Sequence, residues 1–210
     1  MSIGKVPVDA SRRGRPRDAG KDEAILKAAG DLFLAKGFDA SLDAVAQEAG
    51  VSKATIYARY KDKEELFREV LRSRCEAVVS PQSLVPDPNT PVRDTLIRLA
   101  TSFLDLVLSD EPMRMHRVIV AESTRAPRMA ELFYESAVSR LKDGLAQWLA
   151  SETRSGRLTV EDPEGAAWRF LGAVKGEAHL RAQFGMPPVG PERLRRHIEA
   201  CADDFLKANS

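Results

Sequence analysis

The sequence predicts an all-α protein of nine helices. Three observations carry this. Apolar residues recur at helical spacing along nearly the whole chain. Capping residues and glycine or proline stops cut that periodicity into segments of helix length. No stretch alternates apolar and polar residues convincingly, and Arg157 to Val160 is too short to count as a strand.

The elements follow in order. Ala24, Ile25, Ala28, Ala29, Leu32 and Phe33 form the apolar stripe of the first helix. Gly37 supplies a left-handed stop, with Phe38 placed to pack back. Ser41 caps a short second helix whose face is Leu42, Val45, Ala46 and Ala49. Gly50 turns the chain, and Ser52 caps a third helix ending near Tyr60. A fourth runs from Lys63 to Val79. Residues 80–91 hold four of the twelve prolines and read as a loop. Thr90 and Pro91 open a helix to Leu108. Another covers Pro112 to Ser123, and Pro127 opens a long one ending near Gly156. Asp162 and Pro163 open the next, to Gly185, and Gly190 and Pro191 open the last. There is no internal repeat.

Composition bounds the function. The 210 residues are 43% hydrophobic and 30% charged, which suits one or two globular domains with a real core. No run of about 18 apolar residues exists, so no membrane span is expected. No apolar stretch follows the first charges, so a secretory signal is not expected either. Cys75 and Cys201 stand far apart and fit no metal or redox spacing, which points to a reducing cytoplasm. Residues 1–63 carry 12 Lys+Arg against 9 Asp+Glu, while residues 64–210 carry 20 against 22. The basic end is a mild sign of a polyanionic partner.

The informative stretch is SLDAVAQEAGVSKATIYARYKDKEELF, residues 41–67. Two short helices joined by a tight glycine turn make a helix-turn-helix, whose second helix lies in the DNA major groove. Ala46 is small where the helices cross, and Val45, Val51 and Ile56 fill the little core between them. The second helix then presents Lys53, Ala54, Thr55, Tyr57, Ala58 and Arg59 mostly outward, and the helix start at Ser52 and Lys53 suits phosphate. Each residue also has a plainer reading: Thr55 as solvated, Tyr57 as core, Lys53, Arg59 and Lys63 as ordinary surface charge.

GVSKATIYARYKDKEELF closely resembles the recognition helix and following helix of TetR-family transcription regulators, and ILKAAGDLFLAKGFDASLDAVAQEA resembles that family's first two helices. The resemblance spans residues 20–70. It implies double-stranded DNA as partner, a homodimer, an N-terminal three-helix helix-turn-helix domain, and a larger helical domain for ligand and dimer contacts. Carried over by position, Lys53, Ala54, Thr55 and Tyr57 fall where the family's recognition helix meets DNA, and Ser41 and Lys63 where phosphates are often met. The chain departs from the family at Ala54, where many members have Gly, and at Arg59, where many have a second aromatic. Ala54 offers a methyl to a thymine methyl. Arg59 reaches a phosphate or a guanine, and base specificity stays open. The segment SRRGRPRDAG resembles the Arg-Gly-Arg-Pro core of AT-hook arms, which would place Arg13, Arg15 and Arg17 in or beside a narrow minor groove. A solvated tail is the alternative. The expected domains are therefore an arm over 1–18, a DNA-binding domain over 19–66 and a ligand-binding and dimerisation domain over 67–210.

Past residue 80 no catalytic constellation, cofactor fingerprint or metal spacing appears, so neither an enzyme nor a cofactor is expected. FLDLVLSDEPMRMHRVIVAESTRAPRMAELFYES and AAWRFLGAVKGEAHLRAQFG resemble the C-terminal region of AefR-like TetR regulators, which implies a repressor. In that architecture the last two helices pair across the dimer, with Gly172, Val174, Gly176 and Ala178 allowing close approach; packing within one chain is the alternative. A cavity for an unknown small-molecule effector would draw on Phe103, Met115, His116, Ile119, Glu122, Tyr134, Trp148 and Trp168, with Arg117 as a further polar anchor. The resulting expectation is a cytoplasmic dimeric repressor that leaves a pseudo-palindromic operator when the effector binds. Rival readings are an architectural DNA-binding protein without a defined operator, and a regulator that activates or senses a protein partner.

Overall fold

The computed structural model describes residues 19–78 and 90–209. Among them the chain forms α1 (Ala19–Lys36), α2 (Leu42–Glu48), α3 (Lys53–Tyr57), α4 (Lys63–Val78), α5 (Val92–Leu108), α6 (Asp110–Glu122), α7 (Pro127–Phe133), α8 (Arg140–Arg154), α9 (Pro163–Gln183) and α10 (Pro191–Asn209), with no strand. A π-helical stretch, Tyr134–Ser139, joins α7 to α8 without a break, so these two and the stretch between them are the one long helix read from the sequence. That reading anticipated the length but not the π-helical widening. A short 3-10 turn, Gly37–Asp39, follows α1.

The head closes around aromatic rings. Phe33 and Phe67 are fully buried and meet edge to face at 4.9 Å, and Phe38 meets Phe67 at 5.7 Å. Ile25, Val45 and Ile56 complete the contact between α1, α2 and α3. The same core continues through Leu66, Phe67 and Val70 of α4 into Met115 and Ile119 of α6 and Met129 and Leu132 of α7. The expected boundary after residue 66 therefore cuts between two neighbours of one apolar cluster. Arg128 at the start of α7 grips Glu64 at the start of α4, with Nη2 to Oε2 at 2.9 Å, and Arg125 reaches Asp39 at 2.5 Å.

A second core lies between α5, α8, α9 and α10, with Leu96, Leu104, Leu149, Ala167, Phe170, Val174 and Ala202 all buried. Arg93 ties α5 to α10 through Asp203, at 2.6 and 3.1 Å. Helix α6 starts at Asp110, two residues before the proline expected to open it, because a proline is tolerated anywhere in the first turn, where no N–H is needed. Inside α9 the backbone leaves helical geometry at Gly176, with φ 41° and ψ −145°. His197 of α10 sits against that break, its Nε2 donating to Ala173 O at 2.9 Å and Val174 O at 3.1 Å. It satisfies carbonyls that the interrupted ladder leaves free.

Candidate DNA-binding face and buried cavity

The α2–α3 unit is built by local chemistry. Ser41 Oγ accepts from Ala44 N at 3.2 Å, and Ser52 Oγ from Thr55 N at 3.1 Å, so both short helices are capped by side chains. Gly50 takes φ 64°, and Val51 N returns to Ala46 O at 3.0 Å, which closes the turn. Ile56 is fully buried. The opposite face of α3 is open: Lys53 and Ala54 are exposed, and Tyr57 is 51% exposed, so its ring is not core. Thr55 is half-buried, its Oγ1 2.8 Å from Ser52 Oγ. Lys53 Nζ stands 2.6 Å from Asp43 on α2, and that hydrogen bond holds its pKa above the ordinary lysine range.

Two expected DNA contacts are otherwise engaged. Arg59 pairs through Nε with Asp22 of α1, half-buried, which fastens α1 to the end of α3. Lys63 Nζ donates to Phe38 O at 2.5 Å and lies 4.3 Å above the Phe38 ring. Both residues hold the head together. Arg13, Arg15 and Arg17 lie outside the described residues.

A cavity of about 140 Å³ separates the two cores. Phe103, Leu106, Met115, Phe133, Leu171 and Trp168 supply most of its wall, and Arg74, Glu111, His116, Lys175 and His179 its polar groups. Four of the expected residues, Phe103, Met115, His116 and Trp168, are there. Four are elsewhere: Ile119 in the head core, Glu122 beside Gly37 and Arg125, Trp148 against the second core, and Tyr134 half-exposed and stacked on Trp168 at 6.2 Å. Arg117 turns to the carbonyl of Ala182. The sequence reading missed Lys175 and His179. They lie on either side of the break at Gly176, so helical spacing alone does not bring them together.

The polar end of the cavity is unevenly charged. Gln183 Nε2 donates to His116 Nε2 at 2.7 Å, and the His116 and His179 rings meet at 5.3 Å. Burial, with the nearby Lys175 charge, lowers the pKa of His116. The same causes, plus His116, push His179 down to about 4, so both rings are neutral at neutral pH. Burial also lowers Lys175, whose Nζ lies 5.8 Å from the centre of the Phe103 ring. Arg74 and Glu111 pair with each other.

On α9, Val174 is fully buried and Ala178 nearly so, both inside this chain's own fold. The intramolecular alternative holds for them, because neither has surface left for a partner. Gly172 and Gly176 are exposed, and farther along Leu180 (51%) and Phe184 (73%) face outward. Among the described residues no group of three His, Cys, Asp or Glu could hold a metal ion, and no helix is long and apolar enough to cross a membrane.

Comparison with known proteins gives two family matches. The profile of bacterial regulatory proteins of the tetR family matches residues 25–70, and that of the AefR-like transcriptional repressor C-terminal domain matches residues 94–208. The HTH-type transcriptional regulator YdeS of Bacillus subtilis is 41% identical over 102 residues, 48% of this chain and about half of that protein (49%). Among solved structures, the flavonoid-responsive regulator FrrA is 35% identical, with a TM-score of 0.76 over 92% of this chain and 98% of that one. A TetR-family regulator from Mesorhizobium loti is 28% identical, with a TM-score of 0.72 over 93% of this chain and all (100%) of that one.

Proposed function

From the premise that this chain belongs to the TetR family of DNA-binding transcriptional regulators, we propose that it is a homodimeric repressor, released from a pseudo-palindromic operator when a small molecule fills the cavity. One observation carries the reading: α4 belongs to both halves. Its Leu66 and Phe67 complete the head core, while Leu71 and Arg74, one and two turns on, line the cavity. A molecule that moves the cavity wall therefore moves the element on which α1–α3 rest. Such a ligand must bind the DNA-incompetent arrangement more tightly, or it shifts nothing.

On DNA, Lys53, Ala54, Thr55 and Tyr57 would face the major groove, with Ser41 and Ser52 at the backbone. Arg13, Arg15 and Arg17 would reach the minor groove beside it. Dimerisation would use the exposed side of α9 and α10, where Gly172, Gly176, Leu180 and Phe184 are open. The response of FrrA to flavonoids supports an aromatic effector here, and the AefR-like match supports repression over activation.

The test is selection of the purified protein on a random DNA library. A two-fold-symmetric enriched site is the expected result. Enrichment of A·T-rich DNA without symmetry would replace a sequence reader by an architectural protein.

A further inference from the structure

The cavity described above is mostly apolar, yet it holds a lysine. Among the described residues Glu111 is the one carboxylate on its wall, and it is engaged by Arg74, which also has Asp31 at 3.8 Å. Lys175 has no acidic partner among the described residues. The Phe103 ring centre lies 5.8 Å from its Nζ, and its neighbours His116 and His179 are uncharged at neutral pH. A half-buried ammonium beside aromatic walls and without a counter-charge is costly to leave so. The backbone favours keeping it there: Lys175 directly precedes the break at Gly176, and the two carbonyls before it are held by His197. Its position is thus set by α10 as well as by α9.

We propose that the cavity takes a ring-bearing organic acid: an apolar body against Phe103, Met115 and Trp168, with one ionised oxygen on Lys175 and the His116–His179 pair beside it. The acid supplies the counter-charge that no described residue brings to Lys175, in a place where water screens little. This rests on the reading of the cavity as the effector site, and it adds the sign of the effector's charge and where that charge is read.

The experiment is calorimetric titration of the full chain with 2-naphthoate and with its uncharged counterpart, 2-naphthamide, at neutral pH. Wild type is expected to bind the acid about tenfold or more tightly than the amide, the range of one charge-assisted hydrogen bond. In Lys175→Met and Lys175→Gln that ratio is expected to fall close to one, while Lys175→Arg keeps most of it. Unfolding midpoints establish that each variant is folded before titration. Equal binding of acid and amide by wild type, no detectable binding of the acid, or a preference kept in both neutral variants overturns the proposal. Operator release is read separately. Acid-selective binding that leaves the operator complex intact supports the acid site and sinks the repressor-release reading.

Discussion

Replacing Gly176 by alanine separates two structures of α9 by the sign of the effect. In an uninterrupted helix an exposed Gly→Ala change stabilises by about 1 kcal/mol, through helix propensity. At φ 41° and ψ −145° the outcome reverses. An L side chain in that region is strained by about 1–3 kcal/mol. The new Cβ would also stand 2.9 Å from His197 Nε2 and 3.1 Å from its Cε1, so the ring must move. Moving it weakens the hydrogen bonds to Ala173 O and Val174 O, each worth about 0.5–1.5 kcal/mol net. A loss of about 2–4 kcal/mol is the expected total. Urea unfolding followed by circular dichroism at fixed protein concentration measures it, since the stability of the proposed dimer would depend on concentration. The double variant with His197→Ala should lose less than the sum of the two single changes, because the steric conflict disappears with the ring. A Gly176→Ala protein as stable as wild type, or more so, would refute the break and the role given to His197.

The other predictions concern DNA and pH. Lys53→Ala should lower the slope of log affinity against log salt by about 1, because Lys53 and its partner Asp43 are both exposed and DNA can displace the pair, whereas Arg59→Ala should lower thermal stability and leave that slope unchanged, because Arg59 is largely buried against Asp22. Equal slope changes in the two would contradict the division between exposed and half-buried cations. Deleting residues 1–17 should weaken operator binding and flatten its salt dependence; unchanged affinity and slope would remove the arm from the interface. His179, at about 4 in the fold against the ordinary 6.5, is neutral when folded and protonates first when unfolded. Its contribution is present above 6.5 and fades as the pH falls towards 4, on the order of 1–3 kcal/mol in all. His179→Gln should flatten stability over that interval in an acid titration of the unfolding midpoint. A steeper loss in the variant would reverse the sign assigned to this group.

Much of the head is legible in the sequence, because short-range chemistry decides it. Ser41 and Ser52 cap because each lies three residues before a first-turn N–H, and Gly50 turns because little else accepts its φ. Phe38 following Gly37 likewise packs where a helix stop places it, against Phe33 and Phe67. The outward face of α3 follows once Ile56 is assigned to the core. Farther along the chain the same reasoning yields helices but not their facing. Trp148 and Trp168 are both large aromatics on predicted helices, yet one lies against the second core and the other walls the cavity, since the rotation of α8 against α9 decides it. The engagement of Arg59 by Asp22, 37 residues away, and of Lys63 by the Phe38 carbonyl is equally invisible before the helices meet. That Lys175 finds no acidic partner among the described residues depends on α4, α5, α6, α9 and the long helix from α7 through α8 converging without bringing a free carboxylate. Caps, turns and periodicity involve a few neighbouring residues and can be read one segment at a time. Which charge finds a partner, and which is left facing an empty space, depends on all the segments at once.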